Sequence, residues 1–277
     1  MNGSGVGRMP PTVVKLGGRS LETPEALETF VRQAATLQAP LVLVHGGGAE
    51  VSTWCARLGV GSRFLDGLRV TDDATLEIAT AVLAGLANKR LVATLRAAGA
   101  DAVGLSALDG GIARVVPHPD RGRLGRVGAV EAIDARLIAS LLAAGRLPVL
   151  ASIGALDGAL LNLNADDVAT ALAAELGGAL VLLCDTPGLR LGGQVVPRLT
   201  TTAARELVTH PDVIGGMRHK LATACDAVEN GARFARIAQW GPGVTFATLL
   251  AHPGPGTTLV PAVVPSTPSP LPIGGRS

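Results

Sequence analysis

Val13-Val14-Lys15-Leu16-Gly17-Gly18 sets a lysine inside a strand that otherwise reads as core, directly ahead of paired glycines. An ammonium there is costly unless it emerges at the strand end and meets an anion. Glycines let backbone N–H groups converge on that anion with no Cβ in the way. Gly215-Gly216-Met217-Arg218-His219-Lys220 repeats the theme at a glycine-led helix start, where the helix dipole also favours an anion. Between them, Leu161-Asn162-Leu163-Asn164-Ala165-Asp166-Asp167 precedes another helix. One Asn or Asp suffices to cap it, and four such residues exceed that need. A carboxylate in that surplus can hold two ammonium groups without touching substrate. The chemistry this composition suits is the handling of phosphate.

Other motifs are less specific alone. His45-Gly46-Gly47-Gly48 reads as a second nest of donors, as the oxyanion turn of lipases and esterases, or as a plain tight turn. The esterase reading requires a Gly-x-Ser-x-Gly elbow; Gly104-Leu105-Ser106-Ala107-Leu108 comes nearest and lacks the second glycine. His45 fits packing or hydrogen bonding better than catalysis. Arg69, in Gly67-Leu68-Arg69-Val70-Thr71-Asp72, offers a planar fork for a carboxylate. Asp185-Thr186-Pro187-Gly188-Leu189 turns out of a strand toward a ribose or phosphate. Gly125-Arg126-Val127-Gly128 reads as a charged surface turn.

The positioning elements alternate. Thr23-Pro24-Glu25 starts a helix running to about Leu37, and Leu41-Val42-Leu43-Val44 is a strand covered on both faces. A helix follows from Ala49 to about Leu58. Thr71 or Asp72 caps a long Ala-rich helix toward Leu95, and residues 102–106 make a strand. Small hairpins are expected over 112–130, then a helix over 134–144 and a strand over 148–151. The second half gives a helix over 168–176, a strand over 179–184, a hairpin around Gly192-Gly193 and helices over 202–208 and 221–230. Strands over 235–238 and 257–260 close the chain. This is a parallel βαβ pattern, with ligands expected at the carboxyl ends of the strands. Residues 1–12 and 261–277, rich in Gly, Pro and Ser, read as disordered tails.

Composition removes several classes. Aromatic residues are only 2% of the chain, too few for base-stacking platforms. A net charge of +2 with scattered basic residues gives no stripe for nucleic acid or anionic membrane. No signal-peptide layout opens the chain, and the longest apolar run, from Leu137, is broken by Arg146 and Pro148. Cys55, Cys184 and Cys225 are far apart and show no metal-ligand spacing, so buried thiols in a cytoplasmic protein are the expectation.

In order, the motifs at Lys15–Gly18, His45–Gly48, Gly67–Asp72, Asn162–Asp166, Asp185–Gly188 and Gly215–Lys220 resemble the amino-acid kinase family, most closely its acetylglutamate kinases. The resemblance spans Val13 to about Val260. It implies an α/β fold, a three-layer αβα sandwich around a mostly parallel open sheet. An N-terminal lobe over 13–178 would bind the amino-acid substrate, and a C-terminal lobe over 179–260 would bind ATP with Mg²⁺. The implied reaction moves the γ-phosphoryl group of ATP onto the side-chain carboxylate of N-acetyl-L-glutamate, in arginine synthesis. Lys15 and Lys220 match the two catalytic lysines, and Asp166 the aspartate that positions them. Gly17 and Gly18 match phosphate contacts; Gly47, Gly48, Arg69 and Asn162 match substrate contacts. Asp185, Gly188, Leu189, Asp212, Ile214 and Gly216 match nucleotide contacts, and no residue is assigned as a metal ligand.

Arginine-inhibited relatives carry an extra N-terminal helix, and about a dozen Gly/Pro-rich residues stand there instead. The expectation is a homodimer with weak or no arginine feedback. Cys184 stands where many relatives have serine. A sister group that phosphorylates a carrier-linked aminoadipate or glutamate is the alternative substrate reading. A non-catalytic sensor of the same fold ranks below both, because Lys15, Asp166 and Lys220 are all present.

Overall fold

The computed structural model describes residues 10–17, 21 and 23–262. Gly18 and the expected disorder over residues 1–9 and 263–277 lie outside the described residues. Thr12, expected in the tail, is the first residue of β1 (Thr12–Leu16). Next come α1 (Pro24–Thr36), β2 (Leu41–His45) and α2 (Gly48–Arg57). A hairpin, β3 (Arg63–Leu65) and β4 (Leu68–Val70), stands where an irregular piece is expected. The long helix is continuous but not uniform: α3 (Asp73–Thr80) passes through a π-helical segment, Ala81–Ala87, into α4 (Asn88–Ala97). Then follow β5 (Ala102–Ser106), β6 (Ala113–Pro117), α5 (Arg121–Leu124), β7 (Gly128–Ile133), α6 (Arg136–Ala143) and β8 (Leu147–Ala151). A second unexpected hairpin, β9 (Ile153–Leu156) and β10 (Ala159–Asn162), leads to α7 (Ala165–Glu175). The remainder is β11 (Ala179–Leu183), β12 (Arg190–Leu191), β13 (Gln194–Val195), β14 (Arg198–Thr200), α8 (Thr201–Leu207), α9 (Gly216–Glu229), β15 (Phe234–Ala238), α10 (Phe246–Leu250) and β16 (Thr257–Val260).

Eight strands form one sheet in the order β14-β16-β15-β11-β1-β2-β8-β5, parallel throughout except where β15 meets β16. β1 lies between β2 and β11, with Lys15 in register with Val44 and Leu182. Period-2 alternation sends Val13 and Val14 to opposite faces. Val13, Val44 and Leu182 join Val168, Leu172, Leu221 and Ala224 of α7 and α9 in one core. Val14, Leu43 and Val181 join Phe30 and Val31 of α1, Leu95 of α4 and Phe246 of α10 in the other. Those two cores make the three layers. By the same alternation Lys15 emerges on the α7/α9 face.

Among the described residues the long apolar helix is Asp73–Ala97, not the stretch from Leu137. It is long and apolar enough by composition to cross a membrane, and a third of its apolar window is buried. Leu83, Ala87 and Leu91 from this helix line the main cavity.

Candidate active site

The carboxyl ends of β1, β2 and β11 and the N-termini of α2, α7 and α9 enclose a cavity of about 870 Å³. Asn164 caps α7 by accepting the Asp166 N–H at 2.8 Å. That first turn brings Asp166 between two ammonium groups: Lys15 Nζ lies 2.9 Å from Oδ1, and Lys220 Nζ donates to Oδ2 at 2.6 Å. The Lys15 contact, like that of Lys220, is a close ion pair to a carboxylate oxygen that is buried in the site. Burial alone would raise the Asp166 carboxyl, but the two ammonium charges outweigh it and hold the group well below the ordinary carboxylate range. Burial is also the largest influence on Lys15, lowering it despite the opposing pull of Asp166. Two cations and one anion leave this cluster with a net positive charge.

Lys15 folds back over Gly17, where a Cβ would come within 2.3 Å of Nζ. At Gly47 a Cβ would meet Leu83 Cδ2 at 2.7 Å, so the π-helical segment closes tightly on the β2–α2 turn. Arg69 on β4 is buried; it donates to Gly48 O at 2.6 Å, Ser52 Oγ at 2.7 Å and Ser62 Oγ at 2.9 Å, with Phe64 under its guanidinium. Burial lowers its affinity for its proton. No carboxylate among the described residues pairs with it, which leaves a second unneutralised cation in the cavity wall.

Asn162, at the end of β10, donates to Thr71 Oγ1 at 3.1 Å. The segment expected as a charged surface turn is exposed at Gly125 and Arg126, and residues 125–127 also strap these two strands together. Thr71 accepts from Arg126 N, and Asn162 N donates to Arg126 O. Gly125 is required there, because it has φ +75° and its missing Cβ would sit 2.4 Å from Thr71 O. His45 meets the expectation of a hydrogen-bonding residue. Its Nδ1 donates to Gly46 O and its Nε2 accepts from Asn88, while burial lowers its pKa.

Lys15, Gly17, Gly47, Gly48, Arg69, Asn162, Asp166, Asp185, Gly216 and Lys220 all line the one cavity. Gly188, Leu189, Asp212 and Ile214 stand outside that lining. Leu189 is in the core and donates its N–H to Thr257 Oγ1, Gly188 packs against Thr257, and Asp212 accepts the Gly192 N–H at 2.8 Å. Ile214 is 69% exposed beside the start of α9. That helix begins at Gly216, five residues earlier than its apolar pattern suggests, so Lys220 sits in the second turn rather than at the start. Sequence reasoning missed Ser52, Ser62 and Asn88. A lone Asn in an Ala/Leu-rich helix was the available signal for Asn88.

An anion with a free carboxylate at one end and transferable charge at the other suits this wall of Arg69, Lys15 and Lys220. Among the described residues no group of three His, Cys, Asp or Glu gathers to hold a metal.

A profile of the amino acid kinase family matches residues 10–239. An acetylglutamate kinase of Chloroflexus aurantiacus is 44% identical over 230 residues, covering 82% of this chain and 91% of that protein. One of Rubrobacter xylanophilus is 42% identical over 250 residues, covering 90% and 96%. An N-acetylglutamate synthase of Neisseria gonorrhoeae, solved with coenzyme A and N-acetyl-glutamate, superposes with a TM-score of 0.79 at 24% identity, covering 93% of this chain and 61% of that one. That likeness concerns the fold, whose layers and parallel sheet the expectation described. On sequence and architecture together, the chain belongs to the amino acid kinase family.

Proposed function

We propose that the protein phosphorylates the side-chain carboxylate of N-acetyl-L-glutamate with ATP, forming N-acetyl-L-glutamyl 5-phosphate for arginine biosynthesis. The observation that carries this reading is the Lys15–Asp166–Lys220 cluster beside the acid-free Arg69. Relatives at 42–44% identity over most of the chain bear the name acetylglutamate kinase.

The carboxylate nucleophile is ionised at neutral pH, so no general base is needed. One of its oxygens bonds to the γ-phosphorus while the bond to the β–γ bridging oxygen breaks, and ADP leaves with that electron pair. Such transfer depends on alignment and on stabilising charge over the phosphoryl oxygens. Lys15 and Lys220 approach from opposite sides of Asp166 and supply that charge. Asp166 holds both ammonium groups and touches no substrate. Arg69 takes the substrate's α-carboxylate, with Asn162, Gly47 and Gly48 around it, and Gly17 and Gly18 supply N–H groups to phosphate. ATP lies across Asp185, Gly216 and the α9 N-terminus, with Gly188, Leu189 and Asp212 behind, and the exposed Ile214 offers its adenine end an apolar rest. Mg²⁺ brought in with ATP would offset charge on the phosphate oxygens.

The lobe division at 178/179 belongs to the same reading: the amino-acid side of the cavity comes from the first lobe, the nucleotide side from the second. So does a cytoplasmic homodimer, for which the unburied apolar part of Asp73–Ala97 offers a face. The test is ATP turnover with Mg²⁺, trapping the acyl phosphate with hydroxylamine. Hydroxamate from N-acetyl-L-glutamate, and not from L-glutamate, L-aspartate or N-acetyl-L-aminoadipate, is the expected result. Silence with every free amino acid would overturn it and favour a carrier-linked substrate.

A further inference from the structure

The N-terminal turns of α7 and α9 meet at a second polar cluster, beside Asp166 and Lys220 but separate from their contact. His219 Nε2 lies 2.9 Å from Asp167 Oδ1 and 2.9 Å from Asn164 Nδ2. The orientation of the Asn164 amide is fixed, because its Oδ1 accepts the Asp166 N–H as the cap of α7. Its Nδ2 is therefore a donor, while the Asp167 carboxylate is an acceptor. One ring nitrogen cannot serve both. Protonated, Nε2 donates to Asp167 and is opposed by the Asn164 amide; unprotonated, it accepts from Asn164 and is opposed by Asp167.

We propose that His219 is a positioning residue for Lys220: a latch between α9 and α7 that changes partner with its own proton, pulling on the Asp167 side chain in one form and on the cap of the Asp166 turn in the other. Its place in the chain gives it leverage. His219 immediately precedes Lys220, and its two partners flank Asp166, the residue that Lys220 must meet at 2.6 Å. The charged groups facing the imidazole are Asp167 and Asp166 on α7 and Lys220 on its own helix, with Asp185 on the same cavity wall and Lys15 beyond Asp166. The hydrogen bond to Asp167 is the largest influence and raises the imidazole above its ordinary value, against the effect of burial. The latch changes partner as Nε2 loses its proton, and the Asp167 contact defers that loss to higher pH than in a free imidazole.

The inference rests on the kinase reading for its kinetic arm alone. The first measurement is the imidazole titration by nitrogen-15 NMR in the full chain, with His219→Gln assigning the signal. The expected midpoint lies above about 6.5 and falls in Asp167→Asn. A midpoint that Asp167→Asn leaves unmoved would overturn the latch. The second measurement is kcat against pH with N-acetyl-L-glutamate. Wild type is expected to show a step of roughly five- to tenfold that vanishes in His219→Gln and moves to lower pH in Asp167→Asn, with KM for the amino acid held within about twofold. A step that persists in His219→Gln would overturn it. If no pH gives turnover, the kinase reading fails while the NMR titration still decides the latch.

Discussion

Two regions of this molecule bury positive charge, and they treat it in opposite ways. Arg236 on β15 is fully buried, and all five of its N–H bonds find acceptors. Nε and Nη2 reach Thr258 Oγ1, Nη1 reaches the carbonyls of Thr248 and Leu249, and Nη2 also reaches Ala251 O at 2.8 Å. Those carbonyls end α10, where a helix presents partial negative charge. Backbone carbonyls and the Thr258 hydroxyl take every N–H bond, with none left for a ligand. On the opposite face of the sheet, Lys15 and Lys220 share one carboxylate, and in the same cavity Arg69 makes three hydrogen bonds, to two hydroxyls and a carbonyl. Arg236 uses all five of its N–H bonds on the protein, whereas Arg69 uses three among the described residues and the two lysines share a single acid. The difference identifies the site more directly than the size of its cavity.

That comparison breaks first if the lysines are dispensable. Lys15→Met and Lys220→Met are each expected to lower kcat by about 10³-fold, the scale of losing a preorganised charge at a transition state. Either change leaves Asp166 with one ammonium, so thermal unfolding should move little; a mutant near wild-type kcat removes that lysine's role. Asp166→Asn should damage both, lowering kcat and costing about 3 kcal/mol of stability by leaving two buried cations unpaired. The folded carboxyl titrates below its unfolded value of about 3.9, so the unfolded chain takes up the proton first as pH falls. The stabilisation is then whole above about pH 5 and is lost as pH drops through the folded value. Denaturant titrations of wild type and Asp166→Asn should differ equally at pH 6 and 8 and converge below pH 4.

Arg236→Met sharpens the other side. It strands the carbonyls that the guanidinium satisfied, at about 1–3 kcal/mol for each group left without a partner. Calorimetry should show Tm lowered by roughly 8 °C or more, with kcat per folded molecule unchanged. Lost turnover at full folding would mean that Arg236 works in the site. The smallest effect belongs to Gly17→Ala, whose Cβ would press hardest on the tip of Lys15, at 2.3 Å, and less closely on the Leu183 carbonyl, at 3.0 Å. The lysine can swing aside, so stability should hold while kcat falls by about tenfold; unchanged kcat would show that its folded-back position is unimportant.

The central strands were legible because Val13-Val14, residues 41–44 and residues 179–183 are continuous apolar runs, and a strand buried on both faces has that signature. Lys15, Asp166 and Lys220 were legible as charges at glycine turns and helix starts. The missed β3–β4 and β9–β10 hairpins each turn on an Asp-Gly pair, Asp66-Gly67 and Asp157-Gly158, all four residues at positive φ. That is the strongest short-range hairpin signal, and it was masked by strands of only three or four residues with irregular patterning. These two hairpins carry Arg69 and Asn162 to the cavity, so the substrate side was harder to place than the phosphate side. The His219–Asp167 contact joins residues far apart in the chain, and no local pattern encodes it.

The central position of β1 also bears on synthesis. Its neighbour β2 leaves the ribosome soon after it, but β11, which pairs Thr12 with Ala179, arrives only when most of the chain has been made. Until then the nascent sheet offers an open hydrogen-bonding edge beside Val13 and Val14, a template for association between chains. Lys15 is the one charge on that edge, and charged residues on open edges discourage such pairing. The ammonium for which we propose a role toward phosphate would thus guard the strand before the site exists. Stalled chains ending near residue 178 should pellet more readily with Lys15→Met than with lysine in place; equal recovery in the soluble fraction would remove the guarding role.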